Sequence, residues 1–157
     1  MAGQGTAIRE IAEWLRSNDW TVLFVCVPNT PHVGVIPIPT DGLAKQRYTD
    51  VVAVKGSILK LIEVEIALNE KVAEDIAARL SEQRLALRRP NTWREWSSRV
   101  AASTGARLPT SPTIECELVV IRSTANVEAC ALMHLKEADV VLRSSREYAG
   151  PGRVSIG

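Results

Sequence analysis

Three acidic residues near the middle of the chain have types and spacing suited to chemistry: Asp50, Glu63 and Glu65. Two β-rich runs, 48–55 and 58–67, are separated by Gly56-Ser57, a pair that signals a two-residue hairpin loop. If Lys55 faces Ile58 across that loop, Asp50 falls directly opposite Glu63. Side chains alternate along a strand, so Glu65 shares the face of Glu63, and Val52, Val54, Leu59 and Leu61 continue that face toward the turn. Val51, Ala53, Ile62 and Val64 make the other face equally apolar, which predicts a central hairpin covered on both sides. Like charges directly opposite each other destabilise a sheet, and an unpaired buried carboxylate costs several kcal/mol. A divalent cation resolves that conflict. Hard oxygen ligands suit Mg²⁺, with Mn²⁺ as a substitute, and such an ion can polarise a phosphodiester and acidify an attacking water. The alternative is that Glu63 and Glu65 are solvated or are paired with Lys60, Lys71 or arginines.

The flanking elements must position this hairpin. Thr6 is a candidate cap for a first helix, with Ile8, Ile11, Ala12 and Leu15 at helical spacing up to Ser17-Asn18. Residues 20–27 read as a buried strand. Four prolines between Pro28 and Lys45 predict a loop, with at most a short edge strand over 33–38. Beyond the hairpin, Asn69 can cap a long helix to about Arg88, with Val72, Ala73, Ile76, Ala77 and Leu80 as its apolar stripe and Pro90 barring continuation. A short helix is expected around 93–102, a strand over 113–122, a helix over 126–136 and a last strand over 140–143. The tail from Ser144 to Gly157 is expected to be loosely held.

The 157 residues suit one domain, and no apolar run approaches the roughly 18 residues of a membrane span. Residues 1–5 lack the basic and apolar regions of a signal peptide. The cysteines are Cys26, Cys116 and Cys130. An odd number, two of them inside apolar runs, predicts free thiols in a reducing compartment, hence a cytoplasmic protein. No Cys-x-x-Cys occurs and the histidines are only His32 and His134, which argues against zinc and against histidine-based catalysis. His134 reads as a core or boundary residue. The net charge is +1, but residues 79–107 hold seven arginines against Glu82 and Glu95, so one segment carries the positive potential. Arg84, Arg88, Arg89 and Arg94 are its candidate phosphate-binding residues, because arginine matches phosphates and guanine edges. Trp93 and Trp96 lie among them and serve either to anchor a core or to stack on bases. Trp14 and Trp20 read as core anchors. No Walker loop, Gly-x-Gly-x-x-Gly or Gly-x-Ser-x-Gly is present.

With its strands reading Tyr48-Thr49-Asp50-Val51-Val52 and Leu61-Ile62-Glu63-Val64-Glu65, the chain resembles the PD-(D/E)XK nuclease superfamily over roughly Thr6 to Arg122. That family has an αβββαβ core with Asp on the second strand and (Asp/Glu)-x-Lys on the third. The resemblance implies an α/β, restriction-endonuclease-like core, a central mixed sheet flanked by helices. It further implies Mg²⁺-dependent hydrolysis of DNA, with Asp50 and Glu63 as metal ligands. Glu65 stands where the family usually has Lys, as it does in some type II restriction endonucleases, and would orient or activate the water. Thr49 replaces the common Pro. Glu10, with Glu13 as competitor, resembles an acid that some members add from the first helix, and Lys71 is a candidate migrated basic group. DNA is then the expected partner, a homodimer is compatible, and no membrane is involved. Loss of the lysine also admits a second function: a non-catalytic nucleic-acid-binding or assembly subunit built on a degenerate nuclease core. A third is a protein-interaction domain unrelated to nucleases.

Overall fold

A computed structural model of the chain describes residues 3–32, 34–40, 48–122 and 127–149. Ten elements follow in order: helix α1 (Gln4–Ser17), strands β1 (Thr21–Val25), β2 (Val51–Lys55) and β3 (Ile58–Glu65), helices α2 (Glu70–Arg88) and α3 (Pro90–Thr104), strand β4 (Thr113–Val120), helix α4 (Ala129–Glu137), strand β5 (Val140–Ser144) and a 3₁₀ turn over Ser145–Tyr148. The five strands form one sheet in the order β1-β2-β3-β4-β5. β1, β2 and β3 pair antiparallel, whereas β4 and β5 run parallel to β3. The parallel pairs need crossovers, which α2 with α3, and then α4, supply. The protein is thus an α/β domain with a mixed sheet covered by helices.

The hairpin has the register expected from its loop. Lys55 pairs with Ile58 and Val51 with Ile62, and Gly56 supplies the positive φ of 60° that the tight turn needs. Alternation then sorts the side chains. Val51, Ala53, Ile62, Val64 and Val119 pack under Ile8, Ile11 and Leu15 of α1. Val52, Val54, Leu59, Leu61, Cys116 and Leu118 meet α2, α3 and α4. The register between β1 and β2 shifts between Val22 and Phe24, so Leu23 is an extra residue, and it and Phe24 are both buried.

Local chemistry accounts for the helix ends. Asn69 Oδ1 accepts from the Val72 amide at 2.9 Å, so α2 begins as expected. Pro90 ends α2 but also opens α3, where a missing N–H costs nothing. α3 is longer than expected and stops at Gly105, whose φ is 74°. α1 starts earlier than a Thr6 cap would allow, with Gly3 at its N-cap and no side-chain cap. Residues 34–38 form no strand, and Val33 and residues 41–47 lie outside the described residues.

The tail departs from expectation. Ser144 caps the 3₁₀ turn in a capping box with Glu147, and Tyr148 is buried. Its hydroxyl donates to Glu117, which also accepts from Lys60 Nζ at 2.8 Å and Arg143 Nε at 3.2 Å. Trp14 meets the Tyr148 ring edge-on, and Lys60 lies over the Trp20 ring. The chain is therefore pinned as far as Tyr148 by one buried glutamate. Residues 150–157 lie outside the described residues. No helix among the described residues is long and apolar enough to cross a membrane.

Candidate active site

The end of β1, the start of β2 and the end of β3 converge at one end of the sheet. The Cys26 amide donates to the Asp50 carbonyl at 2.8 Å, extending the β1–β2 ladder by one step. Asp50 itself stands just before β2 rather than within it. Its carboxylate takes over where the ladder stops: Oδ2 accepts from the Val64 amide at 2.8 Å. The Gln4 side chain, at the start of α1, donates to the Val64 carbonyl at 2.5 Å. Both polar groups of Val64 are thereby satisfied by side chains at an end of the sheet that is also the mouth of the site.

Glu63 is 2% exposed and lies beside Asp50, as their opposite positions lead one to expect. Glu65, half-buried, lies two residues further along the same face. Asp50 and Glu63 stand side by side on the α2 side of the sheet, and Glu65 is on the same face within reach of the Asp50 charge, but the three do not close to within 4.8 Å of one another. One of the pairings weighed for Glu63 is also present, but with an arginine from α2: Arg79 Nη1 donates to Glu63 Oε1 at 3.1 Å. Lys60 points to the other face and pairs with Glu117, and Lys71 is exposed, paired with Asp75.

The electrostatics follow from burial. Glu63 is held well above the usual carboxylate range, first by burial and then by the charge of Asp50, with Arg79 opposing both. Asp50 is raised by burial, against the hydrogen bonds from Glu63 and Val64 and the charges of Arg79 and His32. Glu65 is raised by burial and by Asp50. Even the Cys26 thiol is pushed up to about 11, by burial and then by Asp50 and Glu63. Two carboxyl groups this close and this buried favour the protonated form of one of them. Asp50 and Glu63 are hard oxygen donors of the type that could hold a divalent cation of the Mg²⁺ or Mn²⁺ kind.

Other expected site residues lie elsewhere. Glu10 is carried by α1, which packs on the opposite face of the sheet from the three acids. Arg84, read as a phosphate ligand, is buried. Its Nη1 and Nη2 donate to the carbonyls of Ala138 and Asp139, both at 2.7 Å, so it caps the end of α4 and is not available to a polyanion. Arg88, Arg89 and Arg94 are exposed, at the end of α2 and the start of α3. Nine residues of helix separate Arg79 from Arg88, which is about 14 Å along the axis, so this arginine cluster is not part of the carboxylate site. Arg88 and Arg94 line an open cleft of about 500 Å³ with Trp93, Leu108 and Pro109. Trp93 and Trp96 are core residues, with indole N–H groups bonded to the carbonyls of Pro109 and Ile36.

Arg79 and Gln83 were not singled out from sequence. Gln83 is buried and accepts from the Thr49 hydroxyl at 3.1 Å, next to Asp50 in the chain. The two are four residues apart on α2, one turn along the same side, and that spacing was the available signal. Among the described residues, the one group of three donors whose ligand atoms lie within 4.8 Å of one another is Glu70, Glu128 and Cys130, at the N-terminal ends of α2 and α4, with His134 Nε2 3.8 Å from Glu70. It is largely solvent-exposed, and the Cys130 thiol is pushed up to about 11, first by its hydrogen bond to Glu70. Comparison with known families, curated proteins and solved structures finds no match for this chain.

Proposed function

We propose that the chain is a metal-dependent endonuclease acting on DNA, a PD-(D/E)XK-like enzyme with Glu-x-Glu in place of Glu-x-Lys. The observation that carries this reading is the buried Asp50–Glu63 carboxyl pair at one end of the sheet, with Glu65 on the same face. The order helix, strand, hairpin, two helices, strand around the site supports the reading, since it contains the αβββαβ order of that family with one helix added.

In this reading Asp50 and Glu63 hold Mg²⁺ or Mn²⁺. The bound ion supplies Lewis acidity toward a phosphodiester and lowers the pKa of a water. Asp50 is oriented by the Val64 amide, so its carboxyl is aimed before any ligand arrives. Glu65 cannot act through positive charge as a lysine would. Its carboxyl, raised by burial, is suited to accept the proton of the attacking water. Arg88, Arg89 and Arg94 would contact DNA phosphates well away from the scissile one. A homodimer would bring two such sites to the two strands of a duplex.

The second reading, a binding or assembly subunit without catalysis, is favoured by the same Glu65 and by Arg79 occupying Glu63. Nicking of supercoiled plasmid separates the two. Mg²⁺- or Mn²⁺-dependent nicking that Asp50→Asn and Glu63→Gln abolish supports the enzyme. Salt-sensitive DNA binding with no cleavage of any DNA form in either metal selects the subunit.

A further inference from the structure

One oxygen of Glu63, Oε1, faces Arg79 Nη1 at 3.1 Å, and Asp50 stands beside the carboxyl. At 2% exposure Glu63 is shut off from solvent. A cation that takes Glu63 together with Asp50 comes up against the positive charge already held there, and Asp50 has to stay as a ligand. The group left to move is Arg79. Its hold on Glu63 is through one nitrogen, not the two-pronged pairing that makes arginine–carboxylate contacts strong. Its side chain is 23% exposed, so it reaches the edge of the site. A guanidinium stays charged at all working pH values and matches phosphate oxygens as well as it matches a carboxylate.

We infer that Arg79 is a displaceable counter-ion: it occupies Glu63 while the site lacks metal, and turns to a phosphate oxygen of the substrate when a divalent cation takes Glu63. This rests on the metal-site reading above. It makes Arg79 a residue that opposes metal binding and favours substrate binding, two effects of opposite sign from one side chain.

Calorimetric titration of the full chain with Mn²⁺ alone, and DNA binding in non-cleaving Ca²⁺, separate the possibilities. Arg79→Met is expected to bind Mn²⁺ about tenfold more tightly than wild type, because one charge-assisted hydrogen bond no longer has to break. It is expected to bind duplex DNA in Ca²⁺ about tenfold more weakly. Arg79→Lys, which keeps the charge, should fall between wild type and Arg79→Met in both measurements. If Arg79→Met does not fold, Arg79→Gln, which keeps a hydrogen bond without the charge, is read in the same way. Unchanged or weaker Mn²⁺ binding in the uncharged variant, with wild-type binding intact and lost in Asp50→Asn, overturns the counter-ion role and leaves the metal site standing. No Mn²⁺ binding by wild type at millimolar concentration overturns the metal site, and the counter-ion role with it.

Discussion

Replacing Asp50 with Asn tests whether the carboxylates are crowded without metal. Asp50 does two things in the fold: it accepts from the Val64 amide at 2.8 Å and it places a like charge beside buried Glu63. Asn keeps the first and removes the second. Two unit charges about 4 Å apart repel by about 4 kcal/mol at an effective dielectric of 20. The pair escapes part of this by holding a proton, so the expected gain at pH 8 is about 1–2 kcal/mol, or roughly 3–6 °C in melting temperature for a domain of this size. Asp50→Ala loses the acceptor as well. An orphaned Val64 amide costs about 1–3 kcal/mol, which cancels the gain. The pH dependence has a fixed sign. Glu63 is raised above its unfolded value of 4.5, so across the interval between that value and its folded one the native state holds the extra proton and wild-type stability falls as pH rises. Asp50→Asn removes one of the causes raising Glu63, so its stability should fall less and its advantage should grow with pH. Thermal and urea unfolding in EDTA at pH 5 and pH 8 measures this. A loss of more than about 1 kcal/mol for Asp50→Asn at pH 8 would refute the reasoning, since it would show the carboxylate contributing to stability as an ion pair.

Glu65→Ala should reduce turnover at least about a hundredfold while leaving DNA affinity within a few fold, and Glu65→Lys should retain some Mg²⁺-dependent cleavage; a plasmid-nicking time course beside DNA binding in Ca²⁺ reads both. Replacing Arg88 and Arg94 with Ala should flatten the salt dependence of DNA binding by about two units in the log–log slope, and an unchanged slope would exclude this surface. Arg84→Ala, by contrast, should cost about 2–4 kcal/mol in urea unfolding, because the carbonyls of Ala138 and Asp139 lose both charge-assisted hydrogen bonds. Should Arg84→Ala keep its stability and weaken DNA binding instead, the α4 cap is not what holds that side chain.

Period-2 alternation and a tight turn were enough to define the hairpin from sequence, because the two-residue loop fixes which residues face each other and alternation then assigns every side chain to a face. Asn69 and Pro90 marked α2 for equally local reasons. The start of the tail is held where the sequence suggested a loose end, because nothing local to Ser144–Tyr148 predicts burial. Tyr148 is held by Glu117, 31 residues away and facing α1 from the fourth strand. The arginine segment misled for a related reason. Seven arginines in one stretch read as a single positive surface, yet Ala73, Ile76, Ala77, Leu80, Arg84 and Leu87 form one buried stripe on α2. Arg84 falls in that stripe at helical spacing, so the periodicity held the answer that the charge count concealed. A guanidinium can lie there because the last carbonyls of α4 need donors.

The acids were legible and their cation was not, and the difference is one of dimension. Asp50, Glu63 and Glu65 are related by strand register, a one-dimensional rule once the turn is known. Arg79 is related to Glu63 by how far α2 slides and rotates over the sheet, which depends on every side chain packed between them. The missing lysine had implied a site with three negative charges and no fixed positive one. With Arg79 bonded to Glu63, a partly buried positive charge is restored from the helix instead of the strand. The two arrangements are not equivalent. A lysine at position 65 would stand beside the metal ligands and would leave Glu63 open. An arginine from α2 reaches Glu63 itself, so in the metal-site reading proposed above the positive charge would compete with a metal ion for a ligand. Wild-type metal affinity should then be weak, and it should respond to changes at Arg79 before it responds to changes at Glu65.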